Sequence, residues 1–275
     1  MFCTEKPLSK ILYVLGVIVI FLATYSSYFI PLGPVTGYLV VYGIPVAVVS
    51  LIFGRELLKR AAKNNKTAFQ LGLGLFSVFT LLGMILSIVA LLIILQFNPQ
   101  AQDLLNKINP ALDVSPRAAL ILMVVSMLVV GPAEEYLFRG FIYGGLLNIF
   151  KGRYWLPLAF VSSLMFASAH GYYALTYEVV SPIFFIDLVV FGVALAITYY
   201  WSGGNILVPA IIHGVYDATG FLGVATTTNV GLVARFVFLV VGLVFAVVYL
   251  PKKIRLTPIQ SSNAPVEGGK TGAAP

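Results

Sequence analysis

What most limits the fold of this chain is a succession of apolar runs, each about long enough to cross a bilayer. Read at roughly twenty helical residues per crossing, they fall at Ile11–Pro31, Val35–Phe53, Phe69–Phe97, Ala118–Leu147, Tyr154–Tyr172, Ile183–Trp201, Ile206–Leu222 and Val230–Leu250. The expectation is an all-α, polytopic membrane bundle of about eight transmembrane helices. Composition agrees, since 60% of the residues are hydrophobic and only 10% are charged. In such a chain the net charge of +7 is loop charge, set by topology and anionic lipid, and no nucleic-acid partner is expected. The single Cys3 permits no internal disulfide and no multi-cysteine metal site. The first run follows Lys6 and Lys10 and lacks a clear small-x-small cleavage site, so it reads as a retained span.

Basic residues orient the bundle. With the N-terminus inside, thirteen Lys and Arg face the cytoplasm, against Lys107 and Arg117 outside; Arg139 and Arg235 lie within spans. That split predicts both termini cytoplasmic. Gly54–Lys66 reads as a basic amphipathic loop helix that fixes topology, and Asn98–Arg117 as a polar outer loop with room for one short helix. The expected organisation is an N-terminal three-span region (1–117), a core (118–222), a last span (223–250) and a disordered cytoplasmic tail (251–275).

Ionisable groups inside these runs are few and costly, at roughly 2.5–3.5 kcal/mol each at the bilayer centre, and mark a functional site by default. Gly131-Pro132-Ala133-Glu134-Glu135-Tyr136-Leu137-Phe138-Arg139-Gly140 holds three of them within six positions. Glu135 and Arg139 form an i,i+4 pair in the favourable order, which leaves Glu134 in surplus. As helix neighbours the two acids point about 100° apart, and Pro132 predicts a kink just before them. Both histidines of the chain, His170 and His213, lie in spans. Ala167, Ser168 and Ala169 before His170 allow close helix approach. His213 and Asp217 are an i,i+4 pair on one helix face. Counted from the span ends, these groups could share one cavity, opening to the cytoplasm. Asp187 reads as an outer-side acid near a helix start, after Ser181 as N-cap and Pro182, and Arg235 as a snorkelling cation.

Three ordered motifs carry a family resemblance: Glu134-Glu135-x-x-x-Arg139, Phe166-x-x-x-His170 and His213-x-x-x-Asp217. Together they resemble the CPBP intramembrane proteases, which include the type II CAAX prenyl endopeptidases and bacteriocin-processing or immunity homologues. The resemblance implies an eight-span, glutamate-dependent protease in which Glu134 is the general base that activates water. His170 would assist or position that water, His213 with the residue four later would stabilise the oxyanion, and Glu135 with Arg139, beside Phe166, would brace the site. The implied partner is a prenylated CAAX or other membrane-anchored peptide, met at a cell membrane, with no cofactor required. Asp217 departs from the Asn typical of the prenyl endopeptidases. An ionised Asp cannot donate to an oxyanion, so it must be protonated, or orient His213, or leave the oxyanion to His213 alone.

Two readings compete with this one. Glu134, His170 and His213 could form a two-His, one-carboxylate zinc site, although no His-Glu-x-x-His motif is present. The same residues could instead serve partner recognition in a non-proteolytic scaffold or immunity protein. Proton-coupled transport is weaker, for no inverted repeat is visible.

Overall fold

The structure, a computed structural model, describes residues 7–30, 36–37, 39–58, 65–98, 101, 114–171, 175 and 177–249. Residues 59–64 of the basic loop helix, most of the Asn98–Arg117 loop, Cys3 and the 251–275 tail lie outside the described residues. The described residues form an all-helical bundle. In chain order its long helices are α1 (Pro7–Phe29), α2 (Ile44–Leu58), α3 (Asn65–Phe97), α4 (Pro116–Ile149), α5 (Trp155–Ala169), α6 (Ser181–Trp201), α7 (Leu207–Thr226) and α8 (Val230–Tyr249).

Among the described residues, five helices are long and apolar enough to cross a bilayer: α3 (from Lys66), α4, α6, α7 and α8. Shorter apolar helical stretches, Lys10–Ser26, Leu39–Gly54 and Trp155–Ala169, lie where the other three spans were expected. Outward-facing side chains are apolar, with Leu51 88%, Phe97 80% and Val247 74% exposed. Such a surface suits hydrocarbon and not water. The protein is a multi-pass membrane protein.

Helix α4 is the element on which the rest packs. Ser115 caps its start by accepting from the Ala118 N–H at 3.3 Å, with Pro116 in the first turn, where its missing N–H is harmless. It then widens twice into π-helical turns, at Ser126–Val130 and Glu135–Tyr143. In the first, the Gly131 N–H reaches back to the Ser126 carbonyl, immediately before Pro132 interrupts the ladder. The expected kink is therefore spread over a widened turn. Helices α4 and α7 cross backbone to backbone at Gly131 and Gly214. A Cβ on Gly131 would sit 2.7 Å from the Gly214 nitrogen, and one on Gly214 would sit 2.8 Å from the Met127 Cα.

Neighbouring helices run antiparallel, and this defines two ends. At one end Trp155, opening α5, stacks on Tyr200 near the close of α6, with centroids 4.7 Å apart. There Tyr13 of α1 donates to the Ile142 carbonyl at 2.7 Å, and Thr198 of α6 to the Gly72 carbonyl of α3 at 3.2 Å. A turn through Gly203 and Gly204, both at positive φ, joins α6 to α7. At the other end the Tyr25 hydroxyl of α1 donates to the Ser168 carbonyl at 2.8 Å, and Tyr28 donates to that of Ala169.

Three sequence expectations change. Val180, not Ser181, caps α6, so Asp187 lies in the second turn, where it accepts from Ser87 of α3. Arg235 does not snorkel; it donates to Thr219 Oγ1 at 2.9 Å and lies 4.4 Å over the Tyr216 ring, which draws it against α7. The fifth run does not remain helical to Tyr172, because α5 stops at Ala169 with His170 as its cap.

Candidate active site within the bundle

Every ionisable residue singled out in the three motifs meets in one cluster between α4, α5 and α7. Glu134 is buried on α4, and its two oxygens diverge. One, Oε1, lies 3.8 Å from His170 Nε2; the other, Oε2, lies 3.5 Å from His213 Nε2. The Tyr42 hydroxyl, from the helical turn Leu39–Gly43 ahead of α2, donates to Glu134 Oε1 at 2.7 Å.

Glu135, fully buried, faces the opposite flank. Its Oε1 is 2.9 Å from Arg139 Nη1 and accepts from His213 Nδ1 at 2.8 Å. The guanidinium is itself buried, donating to the Gly192 carbonyl at 3.2 Å and lying 4.4 Å over the Phe166 ring. Two adjacent acids that could not both face one cavity thus grip one imidazole by different nitrogens. The i,i+4 pair read from sequence is formed, and it extends to His213.

These partners fix both rings. His170 Nδ1 lies 2.9 Å from the Phe166 carbonyl, which can only accept, so Nδ1 carries a proton and Nε2 is the nitrogen turned towards Glu134. His213 Nδ1 is committed to Glu135 in the same way, so its Nε2 faces Glu134 Oε2 and, at 3.3 Å, Asp217 Oδ2. Asp217 is the most open of the group, a third exposed. Phe166 is the hub beneath the rings, with its centroid 4.6 Å from His170 and 6.1 Å from His213. Phe191 of α6, 4.9 Å from His213, closes the flank.

Two cavities adjoin the cluster. One, of about 470 Å³, is lined by Tyr25, Ser168, His170, Gly171, Ser181 and Phe185. The other, of about 570 Å³ and nearly all apolar, lies between the start of α2 and the middle of α4, with Tyr42, Pro132 and Ala133 in its wall.

Tyr42, Gly192 and Phe191 escape a reading by sequence. Tyr42 is one of fifteen tyrosines, Gly192 acts through its backbone, and neither contributes to a charge pattern. Among the described residues no three His, Cys, Asp or Glu side chains are disposed to hold a metal ion.

Residues 116–219 match the family model described as Type II CAAX prenyl endopeptidase Rce1-like. No curated protein and no solved structure matches the chain. The matched segment runs from the start of α4 to Thr219 of α7 and supplies every residue of the cluster except Tyr42. By its motifs and by this match, the 116–219 segment is similar to the Rce1-like family, a likeness consistent with the CPBP family.

Proposed function

We propose that this protein is an intramembrane endopeptidase of the cell membrane, using Glu134 to activate water against a peptide bond of a membrane-anchored substrate. One observation carries the reading. Of two adjacent buried acids, Glu135 is bound to Arg139 and His213, while Glu134 turns one oxygen towards the Nε2 of each histidine. The 3.8 Å gap between Glu134 Oε1 and His170 Nε2 is too long for a direct hydrogen bond. It suits two acceptors sharing one water, which donates a hydrogen to each.

In this mechanism Glu134 removes a proton from that water while the water oxygen bonds to the carbonyl carbon. The carbonyl π electrons move onto oxygen, giving a tetrahedral oxyanion. His213, protonated at Nε2, donates to that oxyanion, and Asp217 holds the proton in place; the Asp for Asn departure is accommodated by orienting His213. Glu134 then passes its proton to the amide nitrogen as the oxyanion collapses and the C–N bond breaks, releasing an amine and a carboxylic acid, which loses its proton to solvent. Glu135 and Arg139 brace His213 from behind. The likeness to the type II CAAX prenyl endopeptidases suggests a prenylated CAAX peptide as the first substrate to try.

The test is cleavage of a farnesylated CAAX peptide and of non-prenylated membrane peptides by purified protein and by Glu134→Ala. The expected outcome is turnover that falls roughly 10²–10⁴-fold, the usual contribution of a general base. Undiminished cleavage by Glu134→Ala would remove Glu134 from the role. Chelation with phenanthroline is expected to leave the wild-type rate unchanged; loss restored by zinc would instead revive the metal reading.

A further inference from the structure

Helix α5 ends at the site, and its last carbonyls have no further helical N–H to accept from. In an apolar bundle, where water is scarce, other donors must reach them. From Phe166 to Ala169 each carbonyl accepts from a described group. The Phe166 carbonyl takes His170 Nδ1 at 2.9 Å, and those of Ala167 and Ser168 take the backbone N–H groups of His170 and Gly171 at 3.0 and 3.1 Å. The remaining donors come from α1. The Tyr25 hydroxyl reaches the Ser168 carbonyl at 2.8 Å, and the Tyr28 hydroxyl reaches that of Ala169.

His170 depends on this support. It stands one residue past the helix, at φ −97° and ψ 29°. Its ring is 19% exposed, against 3% for that of His213. A shift of the last peptides of α5 would therefore carry the ring away from Glu134, with little packing to resist it. Tyr25 and Tyr28 lie three positions apart on one face of α1, their rings edge to face with centroids 5.5 Å apart. Together they cover Gly171, where a Cβ would lie 3.8 Å from Tyr25 Cε1 and 4.0 Å from Tyr28 Cε2. The neighbouring Thr24 and Ser26 instead turn back to the Ile20 and Ala23 carbonyls of their own helix.

We infer that Tyr25 and Tyr28 are positioning residues of the site: their hydroxyls fix the end of α5 and so hold His170 against Glu134. The kinetic consequence rests on the endopeptidase reading; the placement of the ring does not. Helix α1, which lies outside the matched segment 116–219, thereby takes part in the chemistry.

Tyr25→Phe, Tyr28→Phe and their double variant remove the hydroxyls and keep the rings. Tyr13→Phe is the control, because it removes an α1 hydroxyl bond of the same kind, to the Ile142 carbonyl at 2.7 Å, away from the end of α5. With a farnesylated CAAX peptide, kcat is expected to fall up to about tenfold in each single variant and further in the double variant, with KM within about twofold. Tyr13→Phe is expected to keep the wild-type kcat. A second readout needs no turnover and decides independently of it. The chain holds two histidines, so nitrogen NMR of histidine-labelled protein resolves His170, identified by the signal lost in His170→Gln. In the wild type and Tyr13→Phe its Nδ1 is expected to read as protonated; in the double variant the ring signals move towards those of a freely exchanging imidazole. Wild-type kcat in the double variant, unmoved His170 signals, or an equal fall in Tyr13→Phe would overturn the inference. Failure of the endopeptidase reading looks different: Glu134→Ala would cleave like the wild type while the double variant still shifted the His170 signals.

Discussion

His213 is where the charges of this site are reconciled, because it is buried and each of its nitrogens meets a carboxylate. Glu135 on Nδ1 decides what Nε2 can do, as an outer carboxylate does for the imidazole of a hydrolytic triad. Tyr42 plays a comparable part for Glu134, holding Oε1 in place from a different helix. Removing its hydroxyl in Tyr42→Phe should lower kcat by up to about tenfold, since one hydrogen bond is worth roughly 0.5–1.5 kcal/mol. Peptide cleavage at saturating substrate checks this, and an unchanged kcat would deny Tyr42 a positioning role. The motif residues were legible in the sequence because a charge in an apolar run must have a reason. Tyr42 was not, because a tyrosine in a span is ordinary and only packing brings it to Glu134.

At the scale of elements, the site exists because α4 and α7 touch at their backbones. Gly131 and Gly214 permit that approach, and Gly214 adjoins His213 directly. Helix propensity alone makes Gly214→Ala stabilising by roughly 1 kcal/mol. The crossing makes it destabilising, because the added Cβ would lie 2.8 Å from the Met127 backbone. Overpacking of this kind costs about 1–3 kcal/mol. Gly214→Ala is expected to have a lower melting temperature in detergent together with lower activity, since separating the helices draws His213 from both glutamates; a raised melting temperature would contradict this packing role. Pro132 announced a disturbance in α4, but not its form. Two widened turns replace a sharp kink, and hydrogen bonds displaced by one residue leave no mark in an apolar pattern. The early stop of α5 was hidden for a similar reason, as Tyr154–Tyr172 is apolar throughout and only the geometry at His170 ends the helix.

At the scale of the molecule, the apolar runs announced a helical membrane bundle, because bilayer-length runs leave the backbone little other choice. What they could not give was relative height, which depends on how tilted and shortened helices stack. Counting residues from each span end placed His170 and Glu134 at compatible depths, yet missed that α5 ends at the site. The centre of the account is a division of labour between two adjacent acids, and both halves have whole-protein readouts. Breaking a buried pair costs about 3 kcal/mol or more, so Glu135→Gln should melt at a lower temperature and lose activity with it. The most direct measurement sets it beside Glu134→Gln, following the melting temperature and the cleavage rate of both purified proteins. Glu134→Gln is expected to melt like the wild type and fail to cleave; a Glu134→Gln protein that cleaves at the wild-type rate, or a Glu135→Gln protein that melts unchanged, would contradict this division of labour.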